Sequence, residues 1–256
     1  MSKTTLEILN ESMIPTQLLA PQFVERAHKA HHAAAHTSDS TPWEDWGPNT
    51  KFKTALFLRA KTFKPMPDIF GKDLPIQFGD WRIFRNPLPK TKHLRMYQAN
   101  GDAPPRLGWA QFDRDIKVTV LTRKRRPIMG LTPMECISVK AGARFARGSV
   151  VITGLGIGYL LYLVCQRRQV KNVTVIEDDP GIIEHVWPRL KPHLNDPARV
   201  RIITGDCNEV LPKFPGTHDV LLADHFSGFG YNKDWLTYHR DRDVIREKFK
   251  KIWIWG

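Results

Sequence analysis

Cysteine is scarce in this chain, with 3 in 256 residues: Cys136, Cys165 and Cys207. An odd number without metal-type spacing argues against a disulfide framework or a cysteine zinc site. Each lies in an apolar or element-forming stretch, so a reduced, cytoplasmic compartment is the expectation. Long apolar runs are also missing. The most apolar stretch, Val150 to Cys165, is broken by three glycines and is too short to span a bilayer. It reads as a buried strand and helix, and no membrane partner is expected. The opening residues, Met1-Ser2-Lys3-Thr4-Thr5, lack the basic-then-apolar pattern of a secretory signal. Acidic residues are outnumbered, 26 against 39 Lys and Arg, for a formal charge of +13.

That excess is local. Residues 1–50 hold 3 basic against 6 acidic side chains, residues 51–150 hold 21 against 7, and residues 151–256 hold 15 against 13. A confined basic region suits an anionic substrate or a nucleic acid, because its field concentrates anions. A solvated basic surface gives the same count. The string fixes no oligomeric state.

Three segments follow from composition. Residues 1–52 read as one or two N-terminal helices (1–36) and a linker. His28, His31, His32 and His36 fall partly on one helical face, a pattern that a surface helix explains as well as a metal site does. Residues 37–52 are rich in Ser, Thr, Pro and Gly. Residues 53–130 carry short alternating or β-branched runs at 81–85, 94–97, 108–112 and 117–121, bounded by turn formers. They predict a small antiparallel unit of three or four strands. Basic and aromatic residues interleave from Lys51 to Lys64, and Arg123-Lys124-Arg125-Arg126 forms a cationic turn before Pro127.

Residues 131–256 change to a strand–helix alternation. Thr132-Pro133-Met134-Glu135 is a helix start, with Thr as cap, Pro at the first position and Glu reaching back to the cap amide. The helix is expected to run to about Ala146. A buried strand, Ser149 to Thr153, leads into Gly154-Leu155-Gly156-Ile157-Gly158, which opens a helix over Tyr159–Arg168. Glycines there permit unusual backbone angles and close ligand approach. The second strand, Asn172 to Ile176, ends at Glu177, 21 residues beyond Gly156, where a carboxylate can accept from ribose hydroxyls. A third, Val200 to Thr204, ends in Gly205-Asp206-Cys207, and a fourth, Asp219 to Ala223, in Asp224-His225. The C-terminal edge of such a sheet is where open α/β folds bind ligands. A nicotinamide or flavin dinucleotide would want G-x-G-x-x-G or A, and the chain lacks that final small residue.

These four stretches, in this order and spacing, resemble the class I S-adenosylmethionine-dependent methyltransferases, with a lean toward the spermidine-synthase-like branch. The resemblance covers about half the chain. It implies a Rossmann-like, mostly parallel α/β sheet behind the small β unit, and about five strands are expected here because the chain departs from the family's usual seven in lacking the final hairpin. It implies S-adenosylmethionine as cofactor. Gly154, Gly156 and Gly158 would lie against its amino-acid and ribose parts, Glu177 would bind the ribose hydroxyls with Asp178 beside it, and Asp206 and the Cys207 amide would meet the adenine. Asp224 and His225 would stand at the reaction centre as possible bases. Ordinary strand-end and helix-cap duty also explains Glu177 and Asp206.

Departures narrow the acceptor. Asp224-His225-Phe226-Ser227 replaces the Asn or Asp followed by Pro-Pro and an aromatic that nucleic-acid amino-methyltransferases carry. The Tyr-His-Glu and Asp-Pro stretches of polyamine aminopropyltransferases are reduced to Pro133-Met134-Glu135 and nothing, and a +14 segment is a poor host for a polycation. Methyl transfer to an unknown acceptor is the reading. Aminopropyl transfer, or a non-catalytic scaffold that keeps the fold, are the alternatives.

Overall fold

The structure is a computed structural model that describes residues 16–18, 54–92, 94–100, 103–225 and 241–254. In chain order its strands are β1 (Thr16–Leu18), β2 (Thr54–Leu58), β3 (Ile76–Phe78), β4 (Trp81–Leu88), β5 (Leu94–Asn100), β6 (Ala103–Phe112), β7 (Ile116–Arg123) and β8 (Arg126–Gly130). Then come helix α1 (Pro133–Ala143), β9 (Gly148–Thr153), α2 (Tyr159–Cys165), β10 (Val170–Glu177), α3 (Pro180–Leu190), β11 (Val200–Thr204), α4 (Cys207–Val210), β12 (His218–Ala223), α5 (Arg242–Lys248) and β13 (Phe249–Ile254). The chain divides into two compact units, residues 1–64 with 86–118, and residues 65–85 with 119–256. The second thus takes two pieces from the 53–130 stretch that composition set apart.

In the first unit, four strands form a sheet of order β1-β2-β6-β5. β1 pairs antiparallel with β2, β2 runs parallel to β6, and β6 is antiparallel to β5. Leu58 and Phe112 are buried, and Phe63 packs edge-on against Phe112. Asp113 closes the connection by accepting from the Ala60 amide at 2.9 Å. Two corrections arise here. Thr16–Leu18, inside the stretch expected to be helical, is a strand; the four histidines lie outside the described residues. The expected single antiparallel unit is two four-stranded sheets, the second of order β3-β4-β7-β8, because alternation marks strands without saying which pair.

The second unit is built on a five-stranded sheet of order β11-β10-β9-β12-β13 in which every pairing is parallel. Parallel strands need helical crossovers that cover both faces, so the central strands are apolar throughout. Val150, Val151 and Ile152 of β9 and Val220, Leu221 and Leu222 of β12 are fully buried. On one face Val151, Ile176 and Leu221 pack with Cys207, Leu211, Phe214, Ile245 and Phe249. The Trp253 indole of β13 lies on α1, where a Cβ at Gly142 would sit 2.5 Å from the ring. Trp253 thus packs β13 against α1. None of the three cysteines is in a disulfide, and all are buried. Among the described residues, no helix is long and apolar enough to cross a membrane.

Candidate active site

The sheet order reverses between β9 and β12, since the chain winds outward through β10 and β11 and then returns to the other side. In open parallel sheets this switch point, at the carboxyl ends of the strands, is where a crevice forms. A cavity of about 320 Å³ opens there, within the size range of small-molecule sites. Gly154, Glu177, Gly205 and Asp224 reach it from the ends of four successive strands, and Trp81, Arg123 and Met129 close it from the neighbouring sheet.

The glycine turn is left-handed at all three glycines, with φ of +83° at Gly154, +51° at Gly156 and +86° at Gly158. Space is short as well. A Cβ on Gly154 would stand 2.5 Å from the Asp224 carbonyl oxygen, and one on Gly156 2.3 Å from Met129 Sδ. Gly154 and Gly156 line the cavity. Gly158 does not; it meets Leu190 and Val186 of α3, so its part is to let α2 start close beside that helix.

Glu177 is buried at the tip of β10. Its Oε2 accepts from the Leu155 amide at 2.7 Å and its Oε1 from the Asp179 amide at 3.0 Å. Burial, with the adjacent Asp178 carboxyl, pushes its pKa up to about 7 against the lowering effect of those two amides. Each carboxylate oxygen keeps a lone pair for a further donor. Asp179 caps α3 by accepting from the Gly181 amide at 2.9 Å, and it also accepts from the Trp81 indole. Asp206 caps α4 through the Asn208 amide at 2.8 Å and lines the cavity beside Cys207. Capping and cavity lining coexist in this residue.

Asp224 and His225 follow β12. Enclosure raises the Asp224 pKa to about 7, and burial lowers that of His225 to about 4. The His225 ring is therefore neutral at pH 7, with Nδ1 2.6 Å from Thr153 Oγ1. The Asp224 amide donates to Thr153 Oγ1 at 3.2 Å, which fixes the strand end.

Sequence reasoning assigned Glu135 to a capping box. Half of that exists: the Glu135 amide donates to Thr132 Oγ1 at 3.4 Å. The return half does not form, because the Thr132 amide donates to the Gly130 carbonyl at 2.6 Å. Released from that duty, the buried Glu135 carboxyl lines the cavity. Burial first, and the charge of Asp224 second, raise its pKa to about 8. Trp81 and Met129 had no local signal to flag them as cavity residues, and Arg123 was marked only as part of a cationic turn, since all three arrive from another sheet. The lining thus holds five carboxyls, on Glu135, Glu177, Asp178, Asp206 and Asp224, against the single guanidinium of Arg123.

No protein-family model matches the chain, and no curated protein does. Solved structures similar to it are S-adenosylmethionine-dependent methyltransferases and enzymes of the same class I fold. One is a spermidine synthase in complex with the transition-state analogue AdoDATO, at 18% identity over 61% of this chain and 53% of that one, TM-score 0.40. Another is an SAH-bound methyltransferase of Podospora anserina, at 18% identity over 44% and 45%, TM-score 0.35. A third is a precorrin 8W decarboxylase of Methanobacterium thermoautotrophicum, at 22% identity over 44% and 54%, TM-score 0.33. The chain spans about half the length of these structures.

Proposed function

We propose that the chain is an S-adenosylmethionine-dependent methyltransferase. The observation that carries this reading is the Glu177 carboxyl, buried at the tip of β10 and hydrogen-bonded to the glycine-turn amide of Leu155, at the switch point of a parallel sheet. The residues suit the cofactor. Gly154 and Gly156 leave room against the turn, Glu177 and Asp178 offer acceptors to ribose hydroxyls, and Asp206 offers one to an adenine amino group beside the Cys207 amide. Five carboxyls also suit a ligand with an ammonium and a sulfonium. When bound, the cofactor supplies an electrophilic methyl group on sulfur.

The chain's own residues then have two tasks. Alignment of the acceptor against the cofactor is the larger, since a displacement of this kind needs little covalent help. Removal of the acceptor's proton is the second. Asp224, with a pKa of about 7, is poised to take a proton near neutral pH. Neutral His225, held by Thr153, stands beside it as a hydrogen-bond partner or second base.

The acidic lining favours one further reading, aminopropyl transfer to a polyamine. The basic excess of residues 51–150 spoke against it, yet five carboxyls against one guanidinium set the field inside the cavity. Calorimetric titration with S-adenosylmethionine and with its decarboxylated form separates the two. Tighter binding of the intact cofactor supports methyl transfer, tighter binding of the decarboxylated form supports aminopropyl transfer, and no heat with either removes both.

A further inference from the structure

Two arginines oppose each other in a hairpin beside the cavity, and the first of them, Arg123, lines it. β7 and β8 form a hairpin in which Arg123 is the cross-strand partner of Arg126, with Lys124 and Arg125 as the turn. Opposed residues of an antiparallel pair share one face a few ångströms apart, and like charges there repel. The turn adds strain. Lys124 and Arg125 have φ of 48° and 65°, both in the left-handed region that two-residue hairpins usually give to Asn-Gly or Gly-Gly. Local choices that work against the fold in this way collect at functional sites.

The surroundings hold the arrangement in place. The Lys124 amide donates to the Asp80 carbonyl at 2.9 Å, and its ammonium stands 3.4 Å from the Asp80 carboxylate. The Arg123 guanidinium lies 5.0 Å from the ring centroid of Trp81, whose indole N–H is fixed by Asp179. Arg123 itself lines the cavity, and among the described residues none of the five cavity carboxyls forms an ion pair with it. The same holds for Arg126.

We propose that Arg123 and Arg126 form a fork for a phosphate group on the acceptor, an inference that rests on the transferase reading for there being an acceptor. A phosphomonoester dianion between the two guanidinia cancels their repulsion, and guanidinium groups meet phosphate oxygens in pairs. A phosphomonoester, with two negative charges, matches two guanidinia better than the singly charged diester of a nucleic-acid strand does. The acceptor is therefore a phosphomonoester, its phosphate at the basic hairpin and its nucleophile toward Asp224.

The test titrates inorganic phosphate into the full chain and into Arg123→Gln and Arg126→Gln. A single-stranded oligonucleotide without terminal phosphate is a second ligand. Phosphate is expected to bind the unsubstituted chain and to bind each variant about tenfold more weakly or worse, as loss of one charge-assisted contact implies. Without phosphate at low salt, Arg126→Gln should melt no lower than the unsubstituted chain, because a repulsion has been removed. Equal phosphate affinity in all three proteins, or none in the unsubstituted chain, overturns the fork. Oligonucleotide binding that exceeds phosphate binding and falls in both variants overturns it in favour of a nucleic acid. A parallel titration with S-adenosylmethionine keeps the outcomes apart. Its failure with phosphate binding intact sinks the transferase reading and leaves the fork as a phosphate site without an acceptor, and the converse sinks the fork alone.

Discussion

Leu155 donates its amide to Glu177 Oε2 at 2.7 Å, and this bond ties the glycine turn after β9 to the tip of β10. The turn's left-handed backbone and the carboxylate therefore form one unit. Substitution at Glu177 frees two amides, those of Leu155 and Asp179, inside the fold. Such a group costs about 1–3 kcal/mol when left without a partner. Glu177→Ala should lower the melting temperature of the ligand-free chain, and scanning calorimetry reads this directly.

Gly142 gives a prediction with an unusual sign. Glycine to alanine inside a helix ordinarily stabilises by up to about 1 kcal/mol. Here the new Cβ would meet the Trp253 ring at 2.5 Å, so Gly142→Ala should instead cost about 1–3 kcal/mol. Paired with Trp253→Val it should recover much of that loss. Urea melts of the two single variants and the double variant check the packing of β13 on α1.

Glu135 makes stability depend on pH. Its pKa rises from an ordinary 4.5 to about 8 in the fold, so the native state binds its proton more tightly than the unfolded chain. That contribution is whole below about 4.5 and is lost as pH climbs through about 8. Glu135→Gln should therefore melt at a higher temperature than the unsubstituted chain at pH 8 to 9, by a margin that shrinks toward pH 4.5. A margin independent of pH would contradict the buried, protonated carboxyl.

Asp224 is predicted to act on turnover more than on binding. Asp224→Asn should reduce methyl transfer about 100-fold or more, the usual scale for loss of a positioned base. Its affinity for S-adenosylmethionine should change far less. Transfer of a labelled methyl group into candidate acceptor pools, followed with both proteins, gives the comparison.

Much of this was legible in the string. The strands now seen as β9 to β12 were marked by continuous β-branched runs, each closed by a glycine or an acid, and a parallel sheet then places those closures on one edge. Glu177, Asp206 and Asp224 do meet at one cavity. Gly158 did not follow, because the same residue type serves ligand approach and helix packing, and only the position of Leu190 distinguishes them. Glu135 was hidden by a spacing that fits a capping box, and the choice was made by Gly130, whose carbonyl took the Thr132 amide instead. Trp81 and Met129 carried no local mark, and the cationic run marked Arg123 without placing it at the cavity, since lining a cavity from another sheet is a property of pairing rather than of neighbours in sequence. The cross-strand opposition of Arg123 and Arg126 depends on a two-residue turn without glycine, which sequence preference alone would not choose.

The central claim, that the cavity at the switch point of β9 and β12 takes S-adenosylmethionine with Glu177 as its ribose acceptor, meets its most direct test in one calorimetric titration. S-adenosylmethionine is titrated into the unsubstituted chain and into Glu177→Ala, with folding of the variant checked by circular dichroism. The account predicts saturable binding to one site, weakened about tenfold or more in the variant by loss of charge-assisted hydrogen bonds. No binding to the unsubstituted chain, or equal binding to a folded variant, would contradict it.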